Sequence, residues 1–191
     1  AQVAGTKDHA YSKKMIPPQL TEVEALELLA QHYGLMGQLS ALPGERDRNF
    51  QLCLANGEKN TFKVVSADVP LESLKVEIQA MQHLNSVLGN LVPQPLADQA
   101  GNFISQGNLQ NGSSCWLRLQ SWQPGIPLAE FRPHTTELFH SVGHLMGKVA
   151  TLLSTLAVPD PHPDLPWHPD QASQIVEEGL SSVTDLSLIH I

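Results

Sequence analysis

Residues 39–65 alternate between apolar and polar in a way that predicts three strands. From residue 50 to residue 54 every second position is apolar, which is the period of a half-buried strand. Asn56-Gly57 is a strong hairpin signal, because both residue types tolerate a positive φ. The chain then returns through TFKVV, in which Lys63 interrupts an apolar run. Lysine is rarely buried without a partner, so this position requires an explanation.

Three other segments have the period of amphipathic helices. Thr21 and Glu24 fit a capping box, which predicts a helix that begins after Thr21 and ends near Gly34. A second helix is predicted over residues 71–88 and a third over about residues 134–156, each with one apolar stripe. The stripe of the third helix consists of Leu138, Val142, Leu145, Val149, Leu152 and Leu156.

The remaining pattern completes an α+β arrangement. Pro93 and Pro95 predict an extended connector, and short strands are expected at residues 103–105 and 115–119. The break PGIP at residues 124–127 is typical of a hinge between two parts. We therefore predict a five-stranded antiparallel sheet that carries one packed helix and is joined to a helical part.

Composition limits the classes of function. The 191 residues are 41% hydrophobic, and no stretch approaches the roughly 18 consecutive apolar residues that a membrane span requires. The net charge of −8 argues against nucleic acid and anionic membranes as partners. No signal peptide is recognised at the N-terminus. Cys53 and Cys115 each lie in a strand-like run, which predicts reduced core thiols in a cytoplasmic protein.

Lys63 and Glu77 are the first candidates for chemistry. Glu77 lies at the edge of the apolar face of the second helix, fourteen positions after the lysine. A lysine in an apolar strand and a glutamate beside an apolar helix face can satisfy each other's charge, as buried charges require. The same pairing holds triphosphate oxygens in protein kinases. The alternative is that both side chains are solvated, which is their usual state.

Other candidate motifs are weaker. The turn GERDRNF at residues 44–50 can cover phosphates through backbone N–H groups, but a charged hairpin turn explains it equally well. The histidines of the proline-rich segment 159–169 have no helical spacing for a metal site. His140 and His144 do lie four apart, yet no glutamate follows in a zincin arrangement. We therefore predict no metal site in this chain.

Taken together, several segments carry a resemblance to a known family. They are LSALPGERDRNF, FKVV, EIQAMQHL, WLRLQSWQPGIPLAEF and SVGHLMGKVATLLSTL. In their order and spacing, the sequence resembles aminoglycoside phosphotransferase-like small-molecule kinases over about residues 20–172. It looks most like hydroxylysine kinases and the kinase-like domain that is fused ahead of some class III aminotransferases. The resemblance implies a protein-kinase-like fold with ATP, or GTP, bound between two lobes.

The resemblance also implies roles for individual residues. Lys63 would contact the α- and β-phosphates with Glu77 as its helix partner, so the resemblance favours the ion pair. The D-x-N-F turn would lie near the phosphates, and residues 120–122 would form the linker whose backbone binds adenine. The implied nucleotide-binding residues are Lys63, Glu77, Asp47, Asn49, Phe50, Gln120, Ser121 and Trp122.

The sequence departs from the family after the third predicted helix. The family continues into a His-Gly-Asp segment, a downstream asparagine and a magnesium-binding aspartate, which supply the catalytic base and the metal site. His168-Pro169-Asp170 is similar to that triplet, but Ile175 stands where asparagine is required. We therefore expect Mg²⁺ only in a full-length protein, and expect this chain to be the ATP-binding half of a kinase that is inactive alone.

The predicted organisation follows from this reading. Residues 1–18 form a flexible arm, 19–122 a nucleotide-binding N-lobe, and 123–191 the linker and first part of a helical C-lobe, with weak helical character at 171–184. The predicted function is ATP-dependent phosphorylation of a hydroxyl group on a small amine or amino acid, with hydroxylysine favoured. The alternative is a kinase-like binding or regulatory domain fused to a pyridoxal-phosphate-dependent class III aminotransferase.

Overall fold

The computed structural model describes residues 17–157 and 172–180. The helices are α1 Glu22–Tyr33, α2 Leu71–Leu88, α3 Thr136–Leu153 and α4 Ala172–Leu180, and a 3-10 turn, Gly89–Leu91, follows α2. The strands are β1 Gly37–Leu42, β2 Arg48–Leu54, β3 Lys59–Ser66, β4 Pro95–Leu96, β5 Ser105–Asn108 and β6 Ser114–Ser121. The chain forms two compact units: residues 15–161 contain the sheet and α1–α3, and the other unit contains α4.

The sheet has six strands, so the prediction of five was one short. Its strand order is β1-β2-β3-β6-β4, with β5 also paired to β6, and every pair is antiparallel. The additional strand, β4, has two residues and was predicted as a connector. Two residues are too few to show an alternation, and a proline is compatible with an edge strand. The α+β fold class itself is confirmed.

Helix α1 covers one face of the sheet and forms the main core with it. Phe50 and Phe62 are fully buried on neighbouring strands, with ring centroids 6.5 Å apart. Tyr33 of α1 meets Phe62 edge-on at 6.0 Å. Burial of such aromatic side chains is the largest apolar contribution per residue to a core of this size. This face therefore supplies much of the stability of the unit.

The ends of α1 are as predicted, but its capping box is only half formed. Thr21 Oγ1 accepts a hydrogen bond from Glu24 N at 3.2 Å, and Gly34 ends the helix at φ 65°. The Glu24 carboxylate, however, accepts from Gln110 N at 2.6 Å, 86 positions away in the sequence. Glu24 therefore connects α1 to the loop between β5 and β6 through its carboxylate, while its backbone N–H donates to the N-cap residue Thr21.

Helix α2 covers the opposite face of the sheet and has the predicted bounds. Leu74 and Ile78 are the buried residues of α2, and Val65 is buried on the face of β3 that the helix covers. Trp116 Nε1 donates to Val69 O at 3.1 Å, which fixes the entry to the helix. The sheet is thus packed between a helix on each side, where the sequence predicted one.

Helix α3 lies against α2 and is slightly shorter than predicted. His83 Nε2 of α2 lies 3.0 Å from Leu152 O and 3.2 Å from Thr155 Oγ1, at the C-terminal end of α3. The predicted apolar stripe is the half-buried side of α3. Phe139 and Met146, by contrast, are exposed. Among the described helices, none is both long enough and apolar enough to cross a membrane.

Several predictions concern segments near the two ends of the chain, and one of these segments lies within the described residues. Helix α4, described by itself, confirms helical structure within residues 171–184. The arm at residues 1–16, the histidines of segment 159–169 and the triplet His168-Pro169-Asp170 lie outside the described residues. The boundary between lobes at residue 122 stays a prediction.

Candidate functional site

A row of polar side chains crosses the sheet on the face that α2 covers. Asn49 of β2 lies opposite Lys63 of β3, and Lys63 lies opposite Arg118 of β6. Directly opposed residues share a face and have Cβ atoms about 5 Å apart. Their immediate neighbours along the strands, including Phe62, point to the α1 core. Alternation thus places an apolar layer on one side of the sheet and this polar row on the other.

Four residues form the charged cluster, which consists of Asp47, Lys63, Glu77 and Arg118. Lys63 Nζ lies 3.2 Å from Asp47 Oδ2, and Arg118 Nη2 lies 3.9 Å from the same oxygen. Arg118 Nη1 donates to Glu77 Oε2 at 2.5 Å. Two cations and two carboxylates are therefore linked in the order Lys63, Asp47, Arg118, Glu77.

This arrangement corrects the predicted Lys63–Glu77 ion pair. The glutamate of α2 pairs with Arg118, and the lysine pairs with the aspartate of the turn between β1 and β2. The reason is the strand order, which places β6 beside β3 and brings an arginine next to the lysine beneath α2. A guanidinium presents several donors in a fixed plane, so it can hold two carboxylates at once.

Arg118 is the member of the charged cluster that the sequence did not predict. The signal was present in the strand CWLRL, where an arginine alternates with core residues as the lysine does in FKVV. Arg118 is 3% exposed, so its charge requires partners within the protein. Its Nε nonetheless has no hydrogen-bond partner, and neither does the buried Oδ1 of Asn49. A buried donor and a buried acceptor are therefore left unsatisfied beside the charged cluster.

The turn between β1 and β2 is folded tightly against the cluster. Asn49 Nδ2 donates to Pro43 O at 3.2 Å across the turn. A Cβ atom on Gly44 would lie 2.2 Å from Asp47 O and 2.7 Å from Asn49 Nδ2. The one glycine of the turn is therefore needed for the close approach that brings Asp47 to the cations.

The other predicted site residues lie apart from the charged cluster. Phe50 is fully buried in the core on the α1 side, so its side chain faces away from Lys63. Gln120 and Ser121 end β6, two and three positions beyond Arg118. Three positions along a strand correspond to about 10 Å. The cluster and the predicted adenine linker are thus close enough for one extended ligand to reach both.

The backbone of the predicted linker already makes protein hydrogen bonds. Ser121 N donates to Gln94 O at 2.9 Å, and Ser121 Oγ accepts from Gln94 N at 2.9 Å. Trp122 N donates to Lys59 O at 3.4 Å, which is a long hydrogen bond. Of these two backbone donors, the one on Trp122 is held more loosely and is the more easily given up to a ligand.

The described residues offer no preformed cage for a metal ion. Within residues 17–157 and 172–180, no group of three or more histidine, cysteine, aspartate or glutamate side chains is arranged to hold one. Asp47 and Glu77, the carboxylates of the cluster, both face cations. The two carboxylates are therefore engaged by the two cations, and the cluster is balanced in charge.

No family model and no curated protein sequence matches this chain. Solved structures do match in fold. Amicoumacin kinase hAmiN, in complex with AMP-PNP, Ca²⁺ and Ami, is 17% identical with a TM-score of 0.64, over 87% of this chain and 55% of that chain. A microcompartment-associated aminopropanol kinase is 12% identical with a TM-score of 0.60, over 78% and 46% respectively. Spectinomycin phosphotransferase APH(9)-Ia, in complex with ADP and spectinomycin, is 12% identical with a TM-score of 0.58, over 89% and 50%.

These matches define the class of fold. The chain has a protein-kinase-like α+β fold, as predicted, with the antiparallel sheet and its helices in the arrangement of an N-terminal lobe. The three structures named above are of small-molecule kinases or phosphotransferases. The chain spans about half the length of these structures.

Proposed function

We propose that this chain is the nucleotide-binding part of a small-molecule kinase. The observation that carries the proposal is the pair of opposed cations, Lys63 and Arg118, at the centre of the sheet in a kinase-like fold. Two positive charges side by side are unfavourable without an anion near both, and the Asp47 carboxylate fills that role closely only for Lys63. The phosphates of ATP are the anion that best fits this fold, and GTP would offer the same phosphates.

The residues present fit a nucleotide at several points. The Lys63 ammonium is a point charge suited to phosphate oxygens, and the Arg118 guanidinium adds directed donors. The turn that contains Gly44 carries Asp47, whose carboxylate contacts Lys63. Ser121 lies about 10 Å from Arg118 along the strand, and Trp122 follows it. This distance is similar to the distance between the phosphates and the base of a nucleotide. When bound, ATP would supply the phosphoryl group, while these residues bind and orient it.

The proposed acceptor is a hydroxyl group on a small amine or amino acid. Support comes from the family resemblance, which favours hydroxylysine, and from the net charge of −8, which would attract a cationic substrate. The base for that hydroxyl and the ligands for Mg²⁺ are proposed to come from elsewhere in the complete protein. The same nucleotide-binding role would serve a kinase-like domain fused to a class III aminotransferase.

The decisive experiment measures ATP binding by the 191-residue chain with isothermal titration calorimetry. We expect Lys63→Met to weaken ATP binding at least tenfold, which is about 1.4 kcal/mol. Lys75→Met is the matched control, because Lys75 loses the same charge but lies on the exposed side of α2, paired with Glu72. The control should bind as the original chain does. Equal affinities for ATP in the original chain and in Lys63→Met would contradict the proposal.

The acceptor is tested separately in the longest natural protein that contains this chain. Phosphoryl transfer from radiolabelled ATP is measured with hydroxylysine and with lysine, which lacks only the hydroxyl. We expect labelled product with hydroxylysine alone. ATP binding without transfer to any hydroxyl-bearing amine would favour the binding or regulatory role of the alternative.

A further inference from the structure

We propose that Lys63 and Arg118 form a two-cation phosphate subsite, and that Asp47 is its exchangeable counter-ion. In the absence of ligand the Asp47 carboxylate lies in the place of a phosphate oxygen, and a phosphate group binds by displacing it. The identity of the ligand rests on the proposed function, whereas the exchange of anions does not. Arg118 thereby becomes a phosphate-binding residue.

The geometry of the carboxylate supports an exchange. A single oxygen, Asp47 Oδ2, faces both cations, at 3.2 Å from Lys63 Nζ and 3.9 Å from Arg118 Nη2. The first distance permits a hydrogen bond, but the second does not. The carboxylate therefore serves the lysine and leaves the arginine loosely paired. A phosphate group of a polyphosphate chain has at least two non-bridging oxygens and can bond both cations at once.

Arg118 has unused capacity for such a ligand. Its Nη1 is held by Glu77, which fixes the guanidinium beneath α2. Its Nε is buried and has no partner, in a side chain only 4% exposed. A buried donor without a partner costs free energy. An anion that lies closer to Arg118 than the Asp47 carboxylate does could accept a hydrogen bond from this side chain and so lower that free-energy cost.

The anion lies in a turn, whereas the two cations lie within strands. Lys63 and Arg118 lie in the middle of β3 and β6, two central strands of the sheet. Asp47 lies one residue before β2, in the turn between β1 and β2, with 20% of its side chain exposed. A small movement of this turn would therefore open the subsite without disturbing a strand pair.

The test uses tripolyphosphate, which carries the phosphates of ATP without the nucleoside, in metal-free buffer. Titration calorimetry compares the original chain with Asp47→Asn, which is nearly isosteric and removes the competing charge. We expect Asp47→Asn to bind tripolyphosphate roughly tenfold more tightly, a change that corresponds to about 1.4 kcal/mol. Glu72→Gln is the control, because it changes the net charge equally on the exposed surface of α2 and should change binding less than twofold.

Arg118 is tested on the Asp47→Asn background. Adding Arg118→Gln should abolish the tenfold gain, while Arg118→Lys, which keeps a positive charge, should retain part of it. Circular dichroism and thermal melting verify that each variant is folded. If Arg118→Gln does not fold, Arg118→Lys alone decides, since an undiminished gain there would exclude directed contacts to the guanidinium.

The outcomes separate this proposal from the proposed function. Unchanged or weaker tripolyphosphate binding in Asp47→Asn overturns the exchange, even if ATP binds the original chain well. Tighter tripolyphosphate binding in Asp47→Asn, with no additional affinity for ATP over tripolyphosphate, supports the subsite but contradicts a nucleotide as its ligand. Loss of binding in Asp47→Asn would show instead that the carboxylate itself helps to hold the anion.

Discussion

Lys63 and Arg118 lie directly opposite each other on β3 and β6, although like charges in that position destabilise a sheet. The structure tolerates the pair because two carboxylates, from the β1–β2 turn and from α2, neutralise it. One carboxylate lies on a rigid helix and the other on a turn. The exchange proposed above would therefore take place at the turn, while the pair between Arg118 and Glu77 stays in place.

The first prediction concerns the turn that carries this carboxylate. Gly44→Ala would place a Cβ atom 2.2 Å from Asp47 O, so the turn must move. We expect a loss of roughly 1–3 kcal/mol in the free energy of unfolding, as for other overpacked sites. Urea denaturation measures this loss. In heteronuclear NMR spectra, the amide signals of residues 44–49 should shift most. Unchanged signals there would show that the turn accommodates the methyl group without moving.

A second glycine substitution should have the opposite sign. Gly143 lies inside α3, and a Cβ atom there would meet nothing within 4 Å. Because glycine in a helix interior costs roughly 0.5–1 kcal/mol relative to alanine, Gly143→Ala should stabilise the chain by about that amount. The midpoint of urea denaturation should rise. A fall in that midpoint would mean that this side of α3 is more crowded than the structure shows.

Cysteine reactivity gives a third prediction. Burial raises the pKa of the Cys115 thiol to about 11, and its side chain is inaccessible to solvent. Because the thiolate is the reactive form, Cys115 should not react with iodoacetamide at pH 8 in the folded chain. Cys53, which is half-buried, should react first. Mass spectrometry after timed labelling identifies the modified residue, and urea should make both reactive. Early modification of Cys115 would contradict the packing of β5 against β6.

The fourth prediction concerns stability in acid. Burial alone would raise the pKa of Asp98, but hydrogen bonds from Ser105, Asn102 and Ala100 outweigh it and hold the pKa below its ordinary value. A lowered pKa in the folded state means that the carboxylate stabilises the fold above the unfolded pKa, which is about 3.9. That contribution should be lost as the pH falls below about 4 and through the folded pKa.

Asp98→Asn provides the measurement for this prediction. The variant should unfold at a lower temperature than the original chain at pH 6, and the difference should shrink as the pH falls below about 4. A difference in melting temperature that stays constant over this range would show that the carboxylate charge does not matter. The contacts responsible are the hydrogen bond from Ser105 Oγ to Asp98 Oδ2 at 2.7 Å and those from Ala100 N and Asn102 N to Asp98 Oδ1 at 2.9 Å and 2.8 Å.

Helices were predictable because each carries its own signal. The caps at Thr21 and Gly34 mark α1, and the apolar stripe marks the side of α3 that is half-buried. These features depend on residues a few positions apart, and local periodicity therefore suffices. The long strands β2 and β3 were predictable for the same reason. Strand β4 was not, because two residues show no period.

Which residues form ion pairs within the charged cluster was harder to predict than which residues belong to it. Lys63, Asp47 and Glu77 were recognised, but their pairing depends on strand order, which decides that β6 lies beside β3. Arg118 is 55 positions from Lys63 in the chain, and no local pattern joins them. Phe50 was assigned to the site from its motif, yet its side chain faces the core, as the alternation of residues 50–54 also indicated. Long-range pairing is the information that the linear pattern lacked.

The two faces of the sheet have a consequence for how such a protein can diverge. Phe62 and Lys63 are consecutive residues, yet one is embedded beside α1 and the other faces the charged cluster. Substitutions that retune the ligand would accumulate on one side, while the aromatic layer on the other continues to support the fold. Related proteins with this sheet could therefore change from one proposed anionic ligand to another through single substitutions, because each intermediate sequence would still fold.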